Sequence, residues 1–294
     1  MPATNRRSGE TPPSKEFVRS VERAFSIVRA FGRESPSLTL SQVAQRTGLT
    51  RASARRFLMT LEALGYIGSE DRQFFLRPRI LDLGFAYLSS VPVFDIVETH
   101  MEAVVQQVQE SSSASVLDGT DVIYILRVPT KRIMSVQIEV GTRLPAYATS
   151  MGRVLLSALA PERLENYLQE VKMEQLTPMT VANDQGLRLA LAQVREQGWC
   201  LLDQELEVGV RSVAVPLHDP AGQVFAAMNI STNATRVPAE RLLGEYLPLL
   251  RKTAEAIDEE IRARRSTNQA SGTSAAATTR SAIAKAELAA GTPA

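Results

Sequence analysis

The sequence predicts an α+β protein of two domains, a small helical domain with a β-hairpin and a larger domain built on an antiparallel sheet. Two patterns predict this fold class, and a difference in charge between the two parts of the chain agrees with the division into domains. Apolar residues recur at helical spacing over residues 39–64 and change to short β-like runs over residues 66–76. Residues 94–264 alternate helical segments with β-branched runs bounded by turn residues. Residues 1–90 carry 14 Lys and Arg against 8 Asp and Glu, whereas residues 91–294 carry 19 against 24.

The chain is expected to begin with a disordered segment, residues 1–14, which is rich in Pro, Ser, Thr and Gly and has no apolar period. A first amphipathic helix is predicted from Phe17 to Phe31. Its buried face is predicted to consist of Val21, Phe25, Val28 and Phe31, with Ala24 and Ile27 beside it.

Residues 39–64 predict two short helices joined by a tight turn. Thr39 and Gln42 have the spacing of a capping box, and Gly48 can end the first helix in the left-handed conformation. Thr50 is the predicted N-cap of the second helix. This helix has one apolar face and an opposite face that carries arginine. The apolar residues are Ala54, Phe57, Leu58, Leu61 and Leu64, and Gly65 is predicted to close the helix.

A β-hairpin is predicted directly afterwards, with Tyr66–Gly68 and Gln73–Leu76 flanking a polar turn, Ser69–Arg72. Two helices, a glycine turn and a hairpin indicate a winged helix-turn-helix domain over residues 15–78, a fold whose second helix reads the DNA major groove. The alternative is a small helical domain whose arginines only solvate its surface. The candidate DNA-binding residues are Thr50, Arg51, Ser53, Arg55 and Arg56 on the second helix and Arg72 on the hairpin.

Residues 79–92 predict a linker helix between the two domains, with apolar residues from Ile80 to Leu88. So apolar a helix needs a surface to pack against. One alternative is that it packs against its own domains. The other is that it pairs with its twin in a dimer, which would give the protein two DNA-reading helices for two half-sites.

Helices and strands alternate through residues 93–265, which predicts one mostly antiparallel sheet with flanking helices. The predicted strands are Ala114–Leu117, Val122–Val128, Ile133–Glu139, Trp199–Leu202, Val210–Pro216 and Gln223–Thr232. The predicted helices are Phe94–Gln109, Thr149–Leu159, Pro161–Val171, Asp184–Gln197 and Pro238–Arg264, with a loop over Gly141–Ala148. Residues 266–294 are rich in Ala, Ser and Thr and are expected to be a disordered tail.

The residue inventory excludes several kinds of site. A single cysteine, Cys200, excludes an intramolecular disulfide, and with two histidines the chain cannot build a typical Cys/His zinc site. Carboxylates could still bind a metal, but no clustered spacing suggests such a site, and we expect neither a metal nor a cofactor. No apolar run approaches 18 residues and the N-terminus is polar, which predicts a cytoplasmic protein without a membrane partner.

Enzymatic motifs are equally scarce. The sequence contains no nucleophile elbow, Walker loop or dinucleotide-binding glycine pattern, so we expect no catalytic residue and no enzyme. Catalysis by carboxylates is the enzyme alternative. A second alternative is a sensing or docking protein in which the helix-turn-helix is only a scaffold.

Four blocks resemble the IclR family of bacterial transcriptional regulators in the family's order: the winged motif, RPRILDLGFAYLSS, GTRLPAYATSMGRVLLSAL and GWCLLDQELEVGVRSVAVPLHDPAGQVFAAMNIS. The resemblance covers about residues 17–264 and is greatest to the branch that controls aromatic-acid catabolism through the β-ketoadipate pathway. It implies a GAF-like effector-binding domain over residues 93–265. It also implies a homodimer or tetramer that binds operator DNA and a small organic-acid effector, with RNA polymerase as a further partner.

The resemblance places the effector between the helix that starts at Thr149 and the facing sheet. The residues themselves support this place, because helix N-termini attract anions and because Asn229 and Ser231 share one face of a strand. The sequence departs from many relatives at Tyr147, where they have histidine, and from some at Leu202, where they have an acidic residue. The implied effector-binding residues are Ile133, Val136, Ser150, Met151, Ser212, Asn229 and Ser231.

Three arginines are candidates for binding the effector's carboxylate, namely Arg127, Arg153 and Arg211. For each of them the alternative is a structural role, as a surface ion pair or as an anchor at the end of the sheet. Cys200 is expected to be a buried thiol, because no group nearby in the sequence would lower its pKa.

Overall fold

The computed structural model describes residues 16–90, 93–130 and 138–264, and the chain divides into two compact units after Val91. In its described residues the N-terminal unit contains four α-helices, α1 Arg19–Arg29, α2 Leu40–Thr47, α3 Arg51–Ala63 and α4 Leu81–Ser90. It also contains an antiparallel sheet of three strands, β1 Ser37–Thr39, β2 Ile67–Glu70 and β3 Gln73–Leu76, in the order β1-β3-β2. The helix-turn-helix and its wing are therefore present, together with a strand, β1, that the sequence did not reveal.

The local signals at the helix ends are confirmed. The backbone N–H of Thr39 donates to Gln42 Oε1 over 2.8 Å, and the backbone N–H of Gln42 donates to Thr39 Oγ1 over 3.4 Å. Gly48 ends α2 with φ of 68°. Thr50 caps α3, since its hydroxyl accepts from the backbone N–H of Ser53 over 3.2 Å. These caps fix the angle at which α3 leaves the turn.

The predicted core face of α1 is wrong in part. Ile27, assigned to the flank, is completely buried, whereas Val21 and Phe25 are 52% and 47% exposed in the described chain. The apolar residues of α1 cover a broad face of about 160°, at 100° per residue, so periodicity alone does not decide which edge of that face meets α3. Phe31 is buried as predicted, just beyond the C-terminal end of α1.

The wing turn is tighter than the four residues predicted. Ser69 and Glu70 belong to β2, and Glu70 pairs with Gln73 at the start of β3. Only Asp71 and Arg72 connect the strands, and both have positive φ, 48° and 65°. This is the two-residue hairpin turn that matches the twist of antiparallel strands.

Within its described residues the C-terminal unit contains one antiparallel six-stranded sheet, whose strands lie in the order β6-β5-β4-β9-β8-β7. The strands are β4 Ser111–Asp118, β5 Asp121–Val128, β6 Arg143–Pro145, β7 Cys200–Asp203, β8 Val210–His218 and β9 Val224–Asn233. The helices are α5 Phe94–Val108, α6 Ser150–Ser157, α7 Pro161–Glu170 and α8 Asp184–Gln197. The last helix, α9, begins with Ala239–Arg241, passes through a π-helical turn at Leu242–Tyr246 and continues over residues 247–264.

Three predicted boundaries in this unit need correction. β4 begins at Ser111 and not at Ala114. The prediction began too late because the strand opens with three serines, which are not the β-branched or aromatic residues that mark a strand in sequence. The predicted loop Gly141–Ala148 contains the short strand β6, which pairs with β5. Ile138 and Glu139 are not in a strand, and the rest of the predicted strand Ile133–Glu139 lies outside the described residues.

α6 packs against one face of the sheet and brings its own N-terminus over β4, β9 and β8. Met151 and Val154 of α6 share a core with Cys200, Ala214 and Ala227 of the strands. The residues that alternate with these, such as Val213 and Ile230, are also fully buried, so both faces of the sheet are covered. Within the described ranges, no helix has the length and hydropathy needed to cross a membrane.

Candidate functional site

α3 separates its apolar and cationic residues onto opposite sides. Ala54 and Leu58 are completely buried, while Arg51, Arg55 and Arg56 are exposed. Consecutive turns of a helix are about 5.4 Å apart, so these guanidinium groups lie along one short stretch of surface. The N-cap Thr50 is exposed as well, and Ser53 is half-buried.

Arg72 lies at the tip of the wing. Both turn residues adopt left-handed backbone, which is uncommon for residues other than Gly, Asn and Asp. The backbone of Arg72 is therefore mildly strained, and its side chain is exposed at the tip of the wing.

A row of polar side chains crosses the centre of the sheet on the face that α6 covers. In register, Ser113 of β4 pairs with Asn229 of β9, and Ser231 of β9 pairs with Ser212 of β8. The backbone N–H of Ser113 donates to Asn229 Oδ1 over 3.1 Å. The hydroxyl of Ser212 donates to Ser150 Oγ at the start of α6 over 2.8 Å. The structure therefore brings together Ser150, Met151, Ser212, Asn229 and Ser231, five of the seven residues implied for the effector.

The other two, Ile133 and Val136, lie outside the described residues. Sequence reasoning also missed the serines of β4. Ser111, Ser113 and Ser115 are buried, and Ser115 Oγ donates to the sulfur of Met151 over 3.4 Å. The sequence does contain a signal for these residues. A central strand is expected to be rich in Val and Ile, so a run of serines within one is unusual and marks a polar site.

Arg127 lies beside this polar row. It pairs with Ser113 across β5 and β4, and its Nη1 donates to Ser113 Oγ over 3.2 Å. The side chain is half-buried, and burial lowers the pKa of the guanidinium from its ordinary value, with the neighbouring Tyr124 acting in the opposite direction. A partly desolvated guanidinium interacts more strongly with an anion than one in water does.

Arg153 and Arg211 have structural partners. Arg153 is buried on α6, where Nη1 donates to Glu205 Oε1 over 2.8 Å, Nη2 donates to Oε2, and Nε donates to the Tyr147 carbonyl. Arg211 on β8 donates to Asp203 Oδ2 over 2.8 Å and to the Val237 carbonyl over 2.7 Å. Of the three arginines proposed to bind a carboxylate, these two serve as internal anchors and Arg127 lies at the polar row.

Tyr147 and Leu202 are both packed into the C-terminal unit. Tyr147 is buried, and its hydroxyl donates to the Glu174 carbonyl and accepts from the Glu174 backbone N–H, both over 2.9 Å. Leu202 is buried on β7, in register with Ser212. Cys200 is buried as expected, and desolvation raises the pKa of its thiol to about 12, which makes it unreactive at neutral pH.

The described part of the chain contains no group of three or more His, Cys, Asp or Glu side chains that could hold a metal ion. What the polar row offers is hydrogen bonding: hydroxyl and amide groups beside the apolar Met151 and one guanidinium at the β5 end. This combination of groups suits contact with a small molecule that has an apolar body and a few polar groups.

Comparison with known proteins finds family models that match both parts of the chain. Residues 20–71 match the IclR helix-turn-helix domain, and residues 85–259 match the C-terminal domain of bacterial IclR transcriptional regulators. The Pca regulon regulatory protein of Pseudomonas putida is 42% identical over 236 residues, covering 80% of this chain and 81% of that protein.

Two solved structures are also similar. One from Rhodococcus sp. RHA1 is 46% identical with a TM-score of 0.75, covering 83% of this chain and 98% of that one. The other is the inducer-binding domain of the Acinetobacter transcription factor PobR, a double mutant in complex with 3-hydroxybenzoic acid. It is 32% identical with a TM-score of 0.53, covering 56% of this chain and 96% of that one. This chain belongs to the IclR family of bacterial transcriptional regulators.

Proposed function

We propose that this regulator binds operator DNA through α3 and the wing, and that a small organic acid controls its affinity for the operator. The acid is an intermediate of aromatic-compound degradation. This proposal is supported by the relatives, which include a Pca regulon regulatory protein and a domain in complex with 3-hydroxybenzoic acid.

One observation carries the DNA-binding part: α3 exposes Arg51, Arg55 and Arg56 while its opposite face is buried. The helix can therefore offer three guanidinium groups to a major groove without any change in its packing. Arginine binds the edge of guanine with two hydrogen bonds, which makes it the side chain best suited to read sequence there. Arg72 at the wing tip is suited to contact a phosphate or the minor groove.

Arg56→Ala is expected to weaken operator binding by about 1–3 kcal/mol and to relax specificity at one base step, because a base-edge contact is lost. Arg72→Gly is expected to weaken binding to all sequences alike and to lower the salt slope by about 1, because one phosphate contact is lost. Glycine tolerates the left-handed conformation at position 72, so this variant keeps its fold. Electrophoretic shifts on matched and base-substituted operators measure both effects.

The matched control is Arg163→Ala, which removes an exposed arginine from α7 in the other unit and is expected to leave operator binding unchanged. Equal losses on matched and substituted operators for both Arg56→Ala and Arg72→Gly would contradict the division between base and phosphate contacts.

The proposed assembly is a homodimer. In the described chain Leu81 and Leu83 of α4 are 70% and 46% exposed, and α1 exposes Val21 and Phe25. A second copy that covered these residues would also supply a second reading helix for a second half-site, which raises affinity and specificity together. A probe with one half-site is therefore expected to bind more weakly than the complete operator in the same shift assay.

Effector control is expected to change operator affinity by about 5- to 150-fold, the usual range of coupling between two sites. A thermal-shift screen of hydroxybenzoates, muconate and oxoadipate on the full chain identifies acids that bind. The shift assay then measures operator affinity with and without each of them. An acid that stabilises the protein but leaves operator affinity unchanged would contradict control by that acid.

A further inference from the structure

We infer that Arg79 is a positioning residue for operator reading, because it fastens the start of the linker helix α4 to the C-terminal end of the reading helix α3. The inference rests on the proposed homodimer that reads two half-sites. It goes beyond that proposal by naming the contact that fixes how each reading helix is held on its linker. The Arg79 clamp consists of the Arg79 guanidinium, the Leu64 carbonyl and the Tyr66 ring.

The C-terminal end of α3 offers the first half of the clamp. The last carbonyls of a helix have no partner within the helix, and they carry its partial negative charge. The backbone N–H of Tyr66 satisfies one of them, the Leu61 carbonyl, over 2.9 Å. The Leu64 carbonyl accepts from Arg79 Nη1, also over 2.9 Å. Arg79 therefore places a cation where the dipole of α3 favours one.

The Tyr66 ring offers the second half. Arg79 Cζ lies 5.6 Å from the centroid of this ring, within the range of a cation–π interaction. Tyr66 is half-buried and packs against the core of the N-terminal unit. The guanidinium is therefore held between the end of α3 and a side chain that the core keeps in place.

Gly65 leaves room for this arrangement. It has φ of 80°, and a Cβ at this position would lie 3.2 Å from Arg79 Nη1 and 3.5 Å from Arg79 Cδ. The Arg79 side chain therefore lies directly over the turn that ends α3. A larger residue at position 65 would press on the guanidinium as well as strain the turn.

The backbone of Arg79 belongs to the linker. Arg79 lies in a short 3₁₀ helix, Pro78–Ile80, which is followed directly by α4. The side chains of residues 81–87 of α4 are exposed in the described chain, so burial against the helix-turn-helix does not fix the direction of α4. Because the 3₁₀ helix and α4 follow each other without a break, a clamp on Arg79 restrains where α4 begins relative to α3.

This restraint matters for a protein that reads two half-sites. DNA turns once in about 10–10.5 base pairs, so one inserted base pair rotates a half-site by about 35° and moves it by about 3.4 Å. A dimer whose linkers are firmly joined to its reading helices cannot follow such a change. A loose joint lets each reading helix adjust separately. Loss of the Arg79 clamp is therefore expected to relax the dependence of affinity on half-site spacing.

The experiment measures the affinity of the full chain for duplexes that differ only in this spacing. The half-site is obtained by selection from random-sequence DNA with the full chain, and the probes carry two copies at the selected spacing or with one or two base pairs inserted or removed. The wild-type protein is expected to lose at least about tenfold in affinity for one base pair, and Arg79→Ala less than about threefold. The difference corresponds to losing one charged hydrogen bond and one cation–π contact.

Further variants separate positioning from charge and from folding. Arg79→Lys keeps a cation that can donate to the carbonyl, and it is expected to restore most of the spacing dependence. Tyr66→Leu removes the ring and is expected to relax the dependence, adding little when combined with Arg79→Ala. Arg77→Ala is the matched control: it removes an exposed cation from the same connection and leaves the clamp intact, so the wild-type dependence is expected. Far-UV circular dichroism verifies the fold of each variant.

The outcomes separate this inference from the proposed function. Failure of the wild-type protein to select any duplex, or selection of one half-site without a second, would overturn the proposed dimeric reader and the inference with it. Two half-sites with the wild-type spacing dependence in Arg79→Ala would overturn the inference alone. An equal loss at every spacing with a salt slope lowered by about 1 would also overturn it, since Arg79 would then be a phosphate contact. If Arg79→Ala fails to fold, Tyr66→Leu decides: the wild-type dependence in that variant would overturn the inference.

Discussion

Gly152→Ala is expected to lower the free energy of unfolding of the C-terminal unit by more than about 4 kcal/mol, the range of the most damaging single substitutions. A Cβ at this position would lie 2.1 Å from the Ala146 carbonyl oxygen and 2.5 Å from Thr149 Oγ1. The carbonyl is backbone and cannot rotate away, so α6 would have to withdraw from the turn that precedes it. That turn contains the buried Tyr147, and withdrawal would also separate Ser150 from Ser212.

Urea unfolding followed by the fluorescence of Trp199 measures this effect, because Trp199 is the single tryptophan of the chain and lies in the C-terminal unit. Gly244→Ala is the matched control. Position 244 is also helical, in the π-helical turn of α9, and a Cβ there meets nothing within 4 Å. Alanine is the better helix former by about 1 kcal/mol, so this variant is expected to be neutral or slightly stabilised. If Gly152→Ala lowered the free energy of unfolding by less than about 1 kcal/mol, α6 could move away from the preceding turn with little loss of stability, which would contradict the prediction.

Glu205→Ala is expected to destabilise the same unit by about 3–5 kcal/mol, because it leaves the buried Arg153 without its carboxylate. The backbone N–H of Val181 loses its acceptor, Glu205 Oε2, in the same variant. The loop before α8 and the loop before β8 are both held by this carboxylate, so the two loops are expected to loosen together.

The double variant Arg153→Met/Glu205→Leu is expected to regain most of that loss, since an apolar pair leaves no buried charge uncompensated. The same urea titration on the single variants Arg153→Met and Glu205→Leu completes a double-mutant cycle. Glu165→Ala, which breaks an exposed pair with Arg188, serves as the control and is expected to change stability little. A double variant as unstable as the sum of its single variants would contradict the buried-charge explanation.

The elements that local chemistry determines were predicted well. The caps at Thr39 and Thr50 and the turn at Gly48 involve residues within four positions of each other, and the structure confirms all three. The buried face of α1 was predicted wrongly in part, because Ile27 and Phe25 are both strongly apolar and only the position of α3 distinguishes them. The wing turn was predicted too long, because Ser69 and Glu70 have no β-like composition, yet they pair with β3.

The candidate effector site shows the same limit. Asn229 and Ser231 could be placed on one face from their spacing in a single strand. The roles of Arg153 and Arg211 could not be predicted from the sequence. Their partners, Glu205 and Asp203, are brought next to them by the fold of the sheet and not by a short separation along the chain. Ser113 was missed because its importance depends on register with Arg127 and Asn229, and register is a property of paired strands.

The serines of β4 bear on how this regulator can evolve. β4 is paired along both edges, so its backbone stays in place whatever small side chain it carries. Exchange of serine for alanine, cysteine or threonine at position 113 or 115 alters one or two atoms and the pattern of donors and acceptors, while register and packing persist. Under the proposed effector function, single codon changes at these positions are therefore expected to alter ligand preference without passing through an unfolded intermediate.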